Sequence, residues 1–362
     1  MSNVGTEFPS GPAPTVGTSR RRRWFVSARA DVLLFLGLPF LLFVMIELAR
    51  RQSWEVAIVL AGSVGAVGHH APGLIRAYGD RALFARHWPR LVFGPLLLAI
   101  LCVVFVFGEI EGLGFIVLMW GVWHAMAQVY GMGRAYDAKH GHLSRRTARI
   151  DKVFCLSWFA LVLVHSESRL RVALTELYKS GLPAISPDLI SGLQLASIIA
   201  TSAVTGAWIL HIIDSNDTDR PQSATKVALF VGSIAFWWYA HVPVANVILG
   251  VVIFEILHDI HYLGFVWTFK HSDLRRTELP SRASRAFFAS RPASVLLFTL
   301  VAVAYGVAFR GAEFAFSGTP LRVVSVLILV STLVHFYTDS FIWNLRDAPV
   351  RRVLGVEQSE ET

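Results

Sequence analysis

The chain is built from a succession of long apolar runs, and no other feature limits its fold as much. Runs of roughly 18–20 apolar residues, the length that carries a helix across a hydrocarbon core, recur along all but the first part of the chain. Inside a bilayer each backbone N–H and C=O has to be satisfied within its own segment, so such runs are helical. Candidate spans lie near 31–48, 55–75, 91–108, 114–133, 153–166, 190–213, 227–242, 244–269, 293–310 and 321–343. The fifth is short, and the seventh and eighth nearly touch between His241 and Ala245. The expected fold is therefore all-α, a polytopic transmembrane helix bundle of about ten spans. Composition agrees: 54% of the 362 residues are hydrophobic and 16% charged, where a soluble domain carries about 25% charged residues.

Three regions follow. Residues 1–23 are rich in Gly, Pro, Ser and Thr and end in Arg20 to Arg23, which reads as a disordered, basic-ended tail. Residues 24–345 form the transmembrane helical domain with a buried His/Asp site. Residues 346–362 form a short cytoplasmic C-terminal tail. The first apolar run lacks a small-residue cleavage site and is expected to stay as a helix rather than leave as a signal peptide. Cys102 and Cys155 have no metal-binding spacing and imply no disulfide framework.

The net charge of +8 is loop charge that sets topology rather than a nucleic-acid footprint. With the N-terminus in the cytoplasm and ten alternating spans, 26 of the 33 Lys and Arg residues fall on the cytoplasmic side. Positive loops stay inside, so both termini are expected in the cytoplasm of a bacterial-type inner membrane. The loop 167–190 is expected to hold an interfacial amphipathic helix.

Ionisable residues inside spans are costly, and those that persist face the protein interior and work. Here they converge. His69 and His70, His124 and Gln128, Glu255, His258, Asp259 and His261, and His335 and Asp339 all fall in the middle or inner half of spans that run outside to inside. His258 and His261, three apart, share a helix face, with Glu255 and Tyr262 near it. His335 and Asp339 are four apart, as are His124 and Gln128. Adjacent histidines on a regular helix diverge by about 100°, but the glycines and the proline around His69 and His70 suggest a broken helix that turns both rings inward.

These spacings nominate His69, His70, His124, His258, Asp259, His261, His335 and Asp339 as metal ligands or orienters of ligands. Tyr262, Gln128 and Glu255 are nominated as catalytic groups. Imidazoles with carboxylates and no thiolate set suit non-haem iron, mono- or dinuclear, then copper or zinc. Two haems between paired histidines are a rival. His165, His211 and His241 are expected as interhelical hydrogen-bonding residues. His87, His140, His142 and His271 are expected as solvated loop residues.

A polytopic body with histidines gathered near one face resembles the histidine-rich integral-membrane non-haem iron enzymes. These are the fatty-acid desaturases and hydroxylases and, more distantly, carotene dioxygenases of the Brp/Blh type. The desaturase HxxxxH and HxxHH boxes are absent. The nearest runs are His69-His70 and His258 to His261, and these lie within spans. The resemblance implies an iron oxygenase, desaturase or hydroxylase acting on an apolar or lipid-like substrate drawn from the bilayer, with an acidic electron donor at the basic loops. The rival reading is a proton- or metal-coupled transporter, or a cytochrome b-like carrier.

Overall fold

A computed structural model describes residues 24–25, 27–141, 144–216, 222–275 and 282–354. The expected tail over residues 1–23 lies outside the described residues, as do residues 355–362. Among the described residues the fold is all-helical, with no strand. The helices are α1 (Ala28–Arg51), α2 (Glu55–Gly79), α3 (Arg81–Phe107), α4 (Leu113–Lys139), α5 (Arg145–His165), α6 (Glu167–Lys179), α7 (Pro187–Asn216), α8 (Ala224–His241), α9 (Val247–Leu274), α10 (Arg282–Phe288), α11 (Pro292–Ala315), α12 (Gly318–Ile342) and α13 (Ala348–Leu354).

Eight of them, α1 to α4, α7, α9, α11 and α12, are long and apolar enough to cross a membrane, which makes the chain a multi-pass integral membrane protein. The fifth and seventh expected spans are helical too, as α5 and α8, but are not among the eight. The reason is composition: α5 begins with Arg145, Arg146, Arg149, Asp151 and Lys152, and α8 carries Lys226 and His241.

Side chains start and stop these helices. Asp80 accepts from Leu83 N (3.1 Å), Ser144 from Thr147 N (3.3 Å) and Asn246 from Leu249 N (3.1 Å), each closing a helix N-terminus. Gly112 supplies the left-handed residue (φ 101°) that turns the chain into α4.

Contacts sort the connections into two ends. At one, Asp80 meets Lys270 (3.8 Å), Arg86 meets Asp347 (3.6 Å), and Lys139 donates to Leu354 O (3.0 Å). At the other, Arg322 meets Glu109 (2.6 Å), Tyr239 bonds Glu47, and Arg169 on α6 donates to Val247 O (2.9 Å). Helix α6 occupies the loop where an interfacial helix is expected. Residues 348–354, expected within a tail, form α13, which buries Val350 and Leu354 against Phe25, Tyr136 and Phe269.

Two packing features position the site. Helix α2 lies backbone to backbone on α11: a Cβ on Gly306 would stand 2.0 Å from Val64 O. Small residues permit that approach, as they do between helices in membranes generally. The expected 134–152 loop is instead largely helical and joined to α8 by a buried ion cluster. Lys226 Nζ contacts Asp137 (3.0 Å), Asp151 (2.9 Å) and Gln222 (2.6 Å), and Arg134 contacts Asp137 (2.7 Å).

Candidate metal centre

The site begins with the interruption in α2. His69 separates two helical segments, Glu55–Gly68 and His70–Gly79. Both rings turn inward, but to different partners. His69 Nε2 lies 3.1 Å from His335 Nε2 on α12. His70 stacks on the His335 ring, with centroids 4.6 Å apart, and pairs its Nδ1 with Ser331 Oγ at 2.9 Å.

His124 on α4 brings a third Nε2 to 3.1 Å from His335 Nε2. His258 on α9 completes the group: His69, His124, His258 and His335, all buried, each offer one nitrogen within 4.8 Å of the others. Two nitrogens bonded to one ion at about 2.0–2.1 Å, at angles of about 90–110°, stand about 2.9–3.4 Å apart. The two 3.1 Å separations fall in that interval.

The alternative to a cation is poor. A ring nitrogen carries either one hydrogen or one lone pair. His335 Nε2 therefore satisfies at most one of its two Nε2 neighbours by hydrogen bonding. A single cation satisfies all of them. The donor set thus fits a metal ion, and its four imidazoles with no thiolate suit iron, copper or zinc.

The carboxylates divide. Asp259 Oδ1 lies 2.7 Å from His69 Nδ1, the nitrogen that points away from the cluster. At that distance it orients the imidazole, whose Nδ1 also bonds Gly65 O at 3.3 Å. Gly65 makes room, since a Cβ there would meet Asp259 Oδ2 at 2.5 Å. Asp339 behaves differently. Its Oδ1 accepts from Tyr262 OH (3.0 Å) and Trp343 Nε1 (3.1 Å), while Oδ2 stands 3.8 Å from His335 Nε2. That is too long for a hydrogen bond but within the roughly 4.2 Å that two ligands of one ion can span.

The remaining nominated residues are near or outside this group. Tyr262 packs its ring 5.5 Å from His69 and 5.1 Å from His335. Gln128, one turn from His124, donates to His258 O (3.0 Å), and its Oε1 is buried without a hydrogen-bond partner among the described residues. Half-buried Glu255 groups with His69 and Asp259, not with the four histidines. His261 is set apart: its ring faces Phe35 on α1 at 5.7 Å, in the π-helical turn Val32–Gly37.

The histidines given bland roles are outside the cluster. His211 pairs with Thr147 across helices as expected (3.0 Å), but His165 and His241 depart from the interhelical role: each Nδ1 bonds the carbonyl one turn back on its own helix. His87, His140 and His271, expected as solvated loop residues, are instead half-buried, the first and last inside α3 and α9: His271 bonds Phe288 O (2.8 Å), His140 bonds Tyr136 O (2.9 Å), and His87 approaches Asp347 (3.9 Å). His142 lies outside the described residues. Sequence reasoning missed Ser331 and Trp343, although each is one turn from a nominated residue. It also read Arg76 as loop charge, and Arg76 is a buried helical residue.

Comparison with known proteins returns no match: no family model fits the chain, and no curated protein or solved structure is significantly similar.

Proposed function

We propose that the protein is a membrane-embedded oxidoreductase of the oxygenase, desaturase or hydroxylase class, using iron held by His69, His124, His258 and His335 to oxidise a lipid-soluble substrate. The observation that carries this reading is the meeting of three Nε2 atoms at 3.1 Å separations deep in a membrane helix bundle. Bound iron supplies the activation of dioxygen, which the twenty side chains do not provide. The residues of the chain do the rest. His69 Nδ1 bonds Gly65 O (3.3 Å) and faces Asp259 Oδ1 (2.7 Å), and together these acceptors put the ring hydrogen on Nδ1 and leave the Nε2 lone pair for the ion. Tyr262 OH, held by Asp339, is a hydrogen-bonded proton source beside the cluster. The surrounding helices keep bulk water away from the reacting carbon.

Crowding weighs against haem. The rings of His69, His124, His258 and His335 pack at centroid distances of 4.6–5.1 Å, which leaves no slot for a macrocycle between them. One observation favours a second reading, a proton- or metal-coupled transporter. Half-buried Glu255, Asp259 and His69 form a chain of ionisable groups that leads away from the cluster. A transporter would exchange its metal readily, whereas an oxidoreductase retains it through purification.

The sorting of loops into two ends supports ten crossings, with α5 and α8 added to the eight. The positive end then faces the cytoplasm of a bacterial-type inner membrane, where its basic loops suit an acidic electron donor. Reporter fusions at Arg145 and near the C-terminus test this. Both report cytoplasmic if the arrangement is right, and an external signal from either removes the ten-crossing arrangement. Metal analysis with an optical spectrum tests the function: retained iron without a haem Soret band supports it, and a colourless, metal-free protein contradicts it.

A further inference from the structure

Arg76 is not explained by the metal centre or by helix packing. It lies six residues beyond His70 on the inner segment of α2, about 9 Å further along the helix axis. It is 5% exposed. The rings of Phe269 and Trp343, nearly perpendicular to each other with centroids 5.3 Å apart, both lie against its guanidinium, with Cζ 4.1 and 3.9 Å from their centroids. Nη2 donates to Ile342 O at 3.0 Å. Nε and Nη1 are buried and have no hydrogen-bond partner among the described residues.

The two aromatic rings attract the cation as a whole but offer its N–H groups no lone pair to bond. Asp80, Asp273 and Asp339 act on Arg76 through space, but none of them bonds it, and a buried cation inside a membrane protein whose N–H groups lack an acceptor is costly and marks substrate paths. A guanidinium has two bidentate edges, one formed by Nε and Nη2 and one by Nη1 and Nη2. Ile342 O takes one of the two Nη2 hydrogens, so one edge keeps both of its hydrogens free. Two parallel N–H groups match the two oxygens of a carboxylate.

We propose that Arg76 anchors the carboxylate head of a lipophilic acid whose chain reaches toward the histidine cluster. This assigns a substrate class to the proposed oxidoreductase, and it rests on that reading. A carboxylate fits better than a phosphate, which brings three acceptor oxygens and up to two charges to one edge. Lys270, a cation of the same end, is already paired with Asp80 (3.8 Å) and Asp273 (2.9 Å). The open N–H groups are buried, so binding the acid requires a ring to move off the guanidinium, and Trp343 would do so by giving up its bond to Asp339. Trp343 is half-buried at the end of α12 and is followed by a turn.

The test is saturable binding of radiolabelled dodecanoate to the full-length protein in nanodiscs, with empty nanodiscs subtracted. Unlabelled dodecanoate should displace the label, dodecyl phosphate should do so more weakly, and dodecanol should not. Arg76→Gln should weaken binding by more than about tenfold, the loss of two bonds to a charged group. Arg76→Lys keeps the charge but not the two-pronged edge and should also weaken it. Metal content should stay at the wild-type level in both variants. If Arg76→Gln does not fold, Arg76→Lys decides. Absence of saturable binding, wild-type affinity in the variants, or equal displacement by dodecanol or dodecyl phosphate overturns the proposal. Retained iron without dodecanoate binding overturns the anchor alone. Dodecanoate binding by a protein that takes up no iron overturns the oxidoreductase reading and leaves Arg76 as a carboxylate site.

Discussion

His335→Ala should remove the hub of the cluster. Its Nε2 is the one that stands 3.1 Å from both His69 Nε2 and His124 Nε2, so no other single ring replaces it without moving a helix. A four-ligand protein site is worth about 10–16 kcal/mol in total, so one ligand carries about 2.5–4 kcal/mol. At 1.4 kcal/mol per factor of ten, affinity should fall by roughly 10²–10³-fold. His258→Ala should behave similarly. His87→Ala and His271→Ala should not, because those rings lie outside the group. The assay is metal per chain by mass spectrometry after dialysis against a graded series of chelator concentrations. Thermal melting would confirm that each variant is folded. Wild-type retention in both His335→Ala and His258→Ala would refute the reasoning, since it would mean that the close nitrogens do not share an ion.

Other consequences concern the supports of the site. Asp259→Asn should weaken metal retention by roughly 10–100-fold through the lost partner of His69 Nδ1, read in the same chelator series. Asp339→Asn separates two roles: retention close to wild type means that Asp339 acts through Tyr262 and Trp343, and a loss equal to that of His335→Ala means that Oδ2 is itself a ligand. Lys226→Met leaves two buried carboxylates, Asp137 and Asp151, to the single cation Arg134 and should cost about 3–5 kcal/mol of stability, seen as a lowered melting temperature. An unchanged melting temperature would show that the cluster contributes nothing to holding α4, α5 and α8 together.

Much of this was legible in the sequence because the bilayer writes strict rules. It fixes span length, and it makes each buried ionisable residue conspicuous. His69, His124, His258 and His335 could therefore be nominated from four separate spans. What spacing could not decide was which neighbour turns where. His258 and His261 share a helix face, yet contact with Phe35 draws His261 toward α1. His69 and His70 are adjacent, and the interruption at His69 gives one ring to the cluster and the other to Ser331. Arg76 looked like loop charge because Pro72, Gly73 and Tyr78 dilute the apolar pattern around it. Only the aromatic pair, one ring from α9 and one from the end of α12, reveals it as a buried cation. The 134–152 segment misled for the same reason: dense charge reads as solvent, but Arg134, Asp137, Asp151 and Lys226 neutralise one another inside the fold.

The most direct test of the central claim is metal analysis, with an optical spectrum, of the wild-type protein purified after growth with iron. The account predicts stoichiometric iron that survives purification, no Soret band, and loss of that iron in His335→Ala. Protein that is fully folded yet holds no stoichiometric metal, or that shows a Soret band, would contradict it.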